Sequence, residues 1–313
     1  MTLPAPNMKL SIVTTLYQSS SYVEEFYHRA TRAAQQEAED SYQIIFVNDG
    51  SPDNSLEIAT SIQTKDPHVT VIDLSRNFGH HRAMMTGLKH SKGELTFLLD
   101  VDLEEEPELL HDFADQMATD NCDVVYGVQE FRKGGWFEKF SGWVFYTLFN
   151  ILTGFDFPRN IVTARLIRRQ FLDALLRHGE RELSIGGLFY ITGFDQRSRT
   201  ITKHNTSPST YTLTRKLSVL VNSVASFSSK PLVGIFFLGI AVLALAIIVS
   251  LYFLINALLF ASPPDGWTSL MISVWALGGI IISCIGIVGI YISKIYEESK
   301  QRPYTIIRQI YET

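Results

Sequence analysis

Leu95-Thr96-Phe97-Leu98-Leu99-Asp100-Val101-Asp102 is a short apolar run that ends on two carboxylates. The run reads as a buried strand. Carboxylates at the end of such a strand are costly unless they reach solvent or a cation. Hard oxygen ligands of this kind suit magnesium or manganese. Glu104 lies two positions further on and extends the set. Glu105, Glu106 and Glu108 stand where a helix begins, and negative charge is favoured there by the helix dipole.

Upstream, the same layout recurs. Leu10 to Leu16, Tyr42 to Val47 and Val69 to Leu74 are β-rich runs. Helical stretches follow them over 22–39, 53–65 and 81–90, with Ser51 or Asp53 as cap of the second. Pro107 opens another helix at a favoured first position, and Val124-Val125-Tyr126 ends the series. Alternation of this kind predicts an α/β fold with a mostly parallel sheet covered on both faces. Ligands in such sheets bind beyond the carboxyl ends of the strands.

The polar motifs fall at those ends. Asn48-Asp49-Gly50-Ser51 closes the second strand and predicts an exposed carboxylate on Asp49, able to accept hydrogen bonds from a base or a sugar. Ser75-Arg76-Asn77-Phe78-Gly79-His80-His81 closes the third. Arg76 offers a forked donor for phosphate, and Gly79 permits close approach of backbone to ligand. Adjacent side chains rarely point the same way, so the His80-His81 pair is not read as a metal site. An acid, an arginine and a carboxylate pair on three strand ends fit a metal-bridged nucleotide diphosphate, with the metal as Lewis acid toward the departing group. No glycine-rich Walker loop, Gly-x-Gly-x-x-Gly, Gly-x-Ser-x-Gly or His-Glu-x-x-His occurs, which weakens ATPase, dinucleotide, esterase and metalloprotease readings.

The rest of the chain changes character. Charged residues make up 19% of the 313 and hydrophobic ones 46%, against about 25% charged in an ordinary soluble domain. The excess sits in two stretches, 231–264 and 266–293, neither of which holds a charged residue. Each exceeds the ~20 residues a helix needs to cross a bilayer, and the short turn from Ser262 to Gly266 joins them into a hairpin. Arg215, Lys216 and Lys230 precede the first; Lys294, Lys300, Arg302 and Arg308 follow the second. The positive-inside rule puts both termini in the cytoplasm. Met1 to Pro6 shows no signal-peptide pattern, so the first 230 residues are expected to stay cytosolic. Bulky amphipathic stretches over 131–149 and 212–227 suggest helices at the membrane interface. A net charge of −5 argues against a general nucleic-acid binder. Two cysteines, Cys122 and Cys284, make no disulfide framework.

Taken in order, these motifs resemble family 2 glycosyltransferases with the GT-A fold, and more narrowly the polyprenyl-phosphate glycosyltransferases. The stretches that carry the resemblance run from Ser11 to Tyr17, Val47 to Ser55, Leu74 to Gly79, Asp100 to Leu103, Ser226 to Leu232 and Tyr291 to Glu298. It implies a GT-A, Rossmann-like domain over 1–211, a juxtamembrane helix over 212–230, two transmembrane helices over 231–295 and a cytosolic tail over 296–313. Asp49 would bind the nucleobase, and Thr15, Tyr17, Ser51, Arg76 and Asn77 would line the nucleotide pocket. Asp100 and Asp102 would hold Mg2+ or Mn2+ and the diphosphate, with Glu104 where the family often has Gln. Arg132, Lys139 and Ser141 match positions that receive the lipid phosphate, and Arg165 matches the arginine of the family's Gly-Asp-Phe-Arg. That run reads Val162-Thr163-Ala164-Arg165 here, so Thr163 replaces the aspartate. The basic segment before the membrane also departs, reading Lys203 to Tyr211 without the usual pattern.

The expected function is transfer of a sugar, with inversion, from a UDP-linked or other nucleotide sugar to polyprenyl phosphate at the cytoplasmic face of the inner membrane. Homo-oligomers, tetramers among them, are frequent in the family. Two alternatives stay open: the same fold acting on another lipid-linked acceptor, and a catalytically silent membrane partner.

Overall fold

The computed structural model describes residues 8–129, 147, 151–152, 160–179, 185–203, 221, 224–225, 228–260 and 266–312. Arg132, Lys139 and Ser141 lie outside these residues, as do nearly all of the two amphipathic stretches.

Four strands form the parallel centre of an eight-stranded sheet: β1 (Met8–Leu16), β2 (Tyr42–Asn48), β3 (Val69–Leu74) and β4 (Gly93–Leu98), in the order β3-β2-β1-β4. Helices α1 (Val23–Ala38), α2 (Ser55–Gln63), α3 (His80–His90) and α4 (Leu109–Asp120) alternate with them. One face of the sheet packs Phe26 and Ala30 of α1, Ala59 of α2 and Phe113 of α4 against Ile12, Ile44 and Phe97. The other packs Ala83, Met84 and Leu88 of α3 against Val13, Ile45 and Ile72. Strands buried on both faces need nearly continuous apolar sequence, which Tyr42–Asn48 supplies, being buried along its whole length.

Beyond β4 the pattern breaks. Strand β5 (Val124–Gln129) does not pair with β4; β6 (Ile161–Arg168) lies between them, antiparallel to both. Helices α5 (Arg169–Leu175) and α6 (Ile185–Thr192) follow, and then β7 (Gln196–Ile201), parallel to β5 at that edge.

The opposite edge is closed by a strand from the far end of the chain. β8 (Ile307–Tyr311) runs antiparallel to β3, with Ile72 facing Ile310 and Val71 facing Tyr311. Arg308 reaches the buried Asp73 at 3.1 Å and also donates to the Ser75 carbonyl at 2.8 Å. The soluble domain expected to end near residue 211 therefore takes its last strand from the segment expected to be a tail.

The chain divides into two units, and this sheet with its helices makes the first. The second holds Ile151, Leu152 and the helices α7 (Lys230–Phe260) and α8 (Trp267–Ser299). Within it, the Ser228 hydroxyl accepts the Lys230 N–H at 3.1 Å, Tyr291 donates to the Ser228 carbonyl at 2.6 Å, and Lys230 donates to the Ile151 carbonyl at 2.6 Å. Both helices are long and apolar enough to cross a membrane, and none of the described residues in the apolar window of each is buried. Exposed apolar surface on this scale marks contact with a membrane or another protein.

Candidate active site

All four central strands end at one edge, and their polar ends converge there. β1 contributes Thr15, β2 leads into Asp49, β3 into the loop 75–79, and β4 into Asp100 and Asp102.

Two of the loops are locked together. Asp49 is 2% exposed, and its two oxygens accept the backbone N–H groups of Phe78 at 2.7 Å and Gly79 at 3.0 Å. The expectation of an exposed Asp49 is thus corrected. Its carboxylate is turned inward because the loop after β3 leaves two donors that need an acceptor. Burial raises the Asp49 pKa, opposed by those two bonds. Gly50, at φ +60°, presses against the same loop: a Cβ there would come within 2.5 Å of the Arg76 carbonyl carbon and the Asn77 nitrogen. Only glycine meets both the left-handed backbone and the approach. Arg76 and Asn77 are left exposed at the rim, with the Arg76 guanidinium 4.0 Å over the Phe78 ring. Tyr17 is also exposed, at 48%.

Ser51 ties the neighbouring turn. Its hydroxyl donates to Asp53 at 2.6 Å and accepts the Gln18 N–H at 2.7 Å. Asp53 in turn accepts from the backbone and hydroxyl of Ser55, opening α2. Burial of Asp53 works against its charge, but the bonds from Ser51, Ser55 and Ser20 outweigh it and hold the carboxyl well below its usual range.

The acids after β4 differ in their partners. Asp100 Oδ2 accepts the Thr163 hydroxyl at 2.8 Å, and His80 Nε2 lies 3.2 Å from Oδ1. His80 Nδ1 is 3.0 Å from the Thr15 hydroxyl. Burial opposes charge on Asp100, and His80, Thr163 and Lys203 overcome it, lowering the pKa. Asp102 accepts the Glu104 N–H at 3.0 Å. Burial, with the charges of Asp100 and Glu104, raises its pKa. Glu104 itself pairs with Lys203 at 2.9 Å. Among the described residues no three acidic, histidine or cysteine side chains are grouped to hold a metal. The expected third ligand is therefore not assembled here, because Glu104 is drawn to the Lys203 ammonium.

Asp100 and Asp102 nevertheless fit a divalent cation. Asp100 Oδ1 is buried with the His80 imidazole at 3.2 Å as its neighbour, which leaves lone pairs for a hard cation, and Asp102 carries a charge that burial disfavours. One or two carboxylates completed by substrate phosphates is a usual magnesium arrangement.

Glu105 braces the site from behind. Fully buried, it accepts the N–H groups of Thr163 at 3.1 Å and Ala164 at 2.6 Å, with Lys203 at 3.6 Å. It was expected to be a helix-start charge. Burial, then the charge of Asp100, pushes its pKa from 4.5 up to about 7. The folded state thus binds more protons than the unfolded chain between those values, and stability falls as pH rises through that window. The loss should be of the order of 2–3 kcal/mol. A Tm profile between about pH 4.5 and about pH 7 should slope downward in the native chain and flatten in Glu105→Gln; parallel profiles would refute this role.

Arg165 is 7% exposed and lies 4.2 Å over the Phe189 ring, in the wall of a cavity of about 320 Å³ also lined by Tyr126, Ile161, Tyr190 and Phe194. Its Nε has no partner among the described residues. Burial lowers its pKa to about 10.

Sequence comparison places the chain in a family. The description "Glycosyl transferase family 2" matches residues 11–176, which span β1 to the end of α5. A Mycobacterium tuberculosis protein named among the glycosyltransferases is 49% identical over 304 residues, covering 97% of this chain and 89% of that protein. The chain belongs to glycosyl transferase family 2, and its α/β unit has the GT-A fold. The bactoprenol glucosyl transferase of Shigella phage SfV is 28% identical over 305 residues, covering 96% of this chain and 98% of its own length. Among solved structures, a Pyrobaculum calidifontis mannosyltransferase in complex with GDP-Man and Mn2+ is 16% identical, with a TM-score of 0.49 over 94% of this chain and 87% of that one.

Proposed function

We propose that this glycosyltransferase moves a sugar from a nucleotide sugar, UDP-linked in our reading, to a polyprenyl phosphate, with inversion at the anomeric carbon. The observation that carries the reading is the convergence of Thr15, the Asp49-braced loop of Arg76, and the Asp100-Asp102 pair at one sheet edge, in a chain that also carries two uncovered apolar helices. The relative named as a bactoprenol glucosyl transferase aligns along 96% of the chain, apolar helices included, which supports a lipid acceptor.

The donor's diphosphate lies against the Arg76 loop and the acids after β4. Asp100 and Asp102 would hold Mg2+ or Mn2+, which when bound supplies Lewis-acid neutralisation of the departing diphosphate. Arg76 adds a fixed positive donor at the rim. A lipid phosphate oxygen attacks the anomeric carbon, the new C–O bond forms, and the bond to the nucleoside diphosphate breaks. The acceptor is already anionic near neutral pH, so no strong base is needed. Arg132, Lys139, Ser141 and Arg165 are assigned to the acceptor phosphate. β8 follows α8 in the chain and is hydrogen-bonded into the catalytic sheet. In this reading the protein is integral to the cytoplasmic membrane, with its catalytic unit and both termini cytosolic, and it assembles as a homo-oligomer.

The test uses the purified full-length protein in detergent with undecaprenyl phosphate and radiolabelled nucleotide sugars, with Mg2+, Mn2+ or a chelator. A labelled lipid product that disappears with chelator is expected. Label transferred to another lipid-linked acceptor only, or no metal-dependent nucleotide binding at all, would overturn the reading.

A further inference from the structure

β4 and β6 pair antiparallel, with Leu98 facing Arg165 and Phe97 facing Leu166. Carrying that register two residues on brings Thr163 opposite Asp100, at the point where the strand end becomes the acidic motif. The side chains meet there: the Thr163 hydroxyl donates to Asp100 Oδ2 at 2.8 Å. The backbone of Thr163 is itself fixed, because Glu105 accepts its N–H and that of Ala164. The other oxygen, Oδ1, is buried and faces the His80 Nε2 at 3.2 Å, the side from which a cation would join or displace the imidazole.

We propose that Thr163 is a positioning residue: by holding Oδ2 it sets the rotation of the Asp100 carboxylate and selects Oδ1 as the oxygen presented to a divalent cation bound with the donor. This rests on the reading of Asp100 as a cation ligand given above. The hydroxyl's one proton is committed to Asp100. A carboxylate in its place would face Asp100 with like charge across the strand pair, an unfavourable arrangement. The hydroxyl turns that neighbour into a donor. Partners that orient a metal ligand in this way typically contribute 10–100-fold in affinity.

The experiment measures Mn2+ binding to the full-length protein in detergent with UDP present, by electron paramagnetic resonance, for the native chain, Thr163→Val and Thr163→Ser. Valine keeps the shape and β-propensity and removes the hydroxyl; serine keeps the donor. Valine should weaken Mn2+ binding by about tenfold or more, and serine by less than about threefold. In transfer assays the Mn2+ activation constant of Thr163→Val should rise by a similar factor, while kcat at saturating Mn2+ stays within a few-fold of native. A melting curve checks that the valine variant is folded, and Thr163→Ala takes its place if it is not. Native-like Mn2+ affinity in the valine variant overturns the proposal, as does a large fall in kcat at saturating Mn2+. A native chain that binds no Mn2+ with UDP removes the donor-site reading itself, a distinct result.

Discussion

Replacing Asp102 by alanine is expected to lower sugar transfer by about 10²–10³-fold, the usual cost of losing one electrostatic stabiliser in a closed site, with no loss of fold. The second half of that expectation is the more telling. The hydrogen bond recorded for the Asp102 carboxylate is to the local Glu104 N–H, and burial and the charges of Asp100 and Glu104 all raise its pKa. A carboxyl with a raised pKa is a net cost to the folded state once ionised. Asp102→Ala should therefore melt at the native temperature or slightly above it. Asp100 is unlike it in this respect, because the Thr163 hydroxyl and His80 are organised around it. Transfer assays and melting curves on the same preparation decide the matter. Activity retained in Asp102→Ala would remove the residue from the diphosphate site, and a large drop in Tm would make it a structural acid.

Ending the chain before Arg302 should destabilise the catalytic unit by several kcal/mol, though the site is elsewhere in the sequence. Deleting β8 strips the ladder from the outer edge of β3 and removes the Ile306 carbonyl that accepts the Ser75 N–H at 2.9 Å. It also removes Arg308 from Asp73, a residue 1% exposed whose remaining side-chain hydrogen bond, among the described residues, is from Asn48 at 2.7 Å. Leaving a buried charge without its partner costs about 3–5 kcal/mol, and the exposure of Arg308 puts this case at the lower end. For a domain of this size about 3 kcal/mol lowers Tm by roughly 6–12 °C. Arg308→Ala alone should produce a smaller part of the shift. Because Ser75 begins the Arg76 loop, nucleotide binding should weaken in parallel. An unchanged Tm after truncation would show that β3 does not depend on the returning strand.

The parallel centre of the fold was legible because each of its strands is a continuous apolar run closed by turn-forming residues, as in Tyr42 to Gly50. The edges were not. β6 begins at Ile161, after a long segment without β periodicity, and Arg165 and Arg168 interrupt its pattern. β8 is five residues long and holds Arg308, so charge near the hairpin reads as a membrane flank instead of as a strand. At the site, the residue types at the strand ends pointed to phosphate and metal, and Asp100, Asp102, Thr15 and Arg76 do share one edge. Partnerships were beyond reach. That Asp49 turns inward to Phe78 and Gly79, that Glu104 prefers Lys203, and that Glu105 braces Thr163 all depend on contacts between residues far apart in the chain. The rule that adjacent side chains point apart speaks against a metal-binding His80-His81 pair, but it says nothing about whether one of them reaches an acid beyond another strand.

The joining of the loops after β2 and β3 has a thermodynamic corollary. With Asp49 clamped onto Phe78 and Gly79, and Gly50 seated against Arg76 and Asn77, the ordering entropy of this cradle is spent when the protein folds. At the proposed donor site an incoming nucleotide would meet a preorganised surface and lose little of its binding energy to immobilising the chain. Donors that differ in base or sugar should share a similar association rate and be told apart by how long they stay.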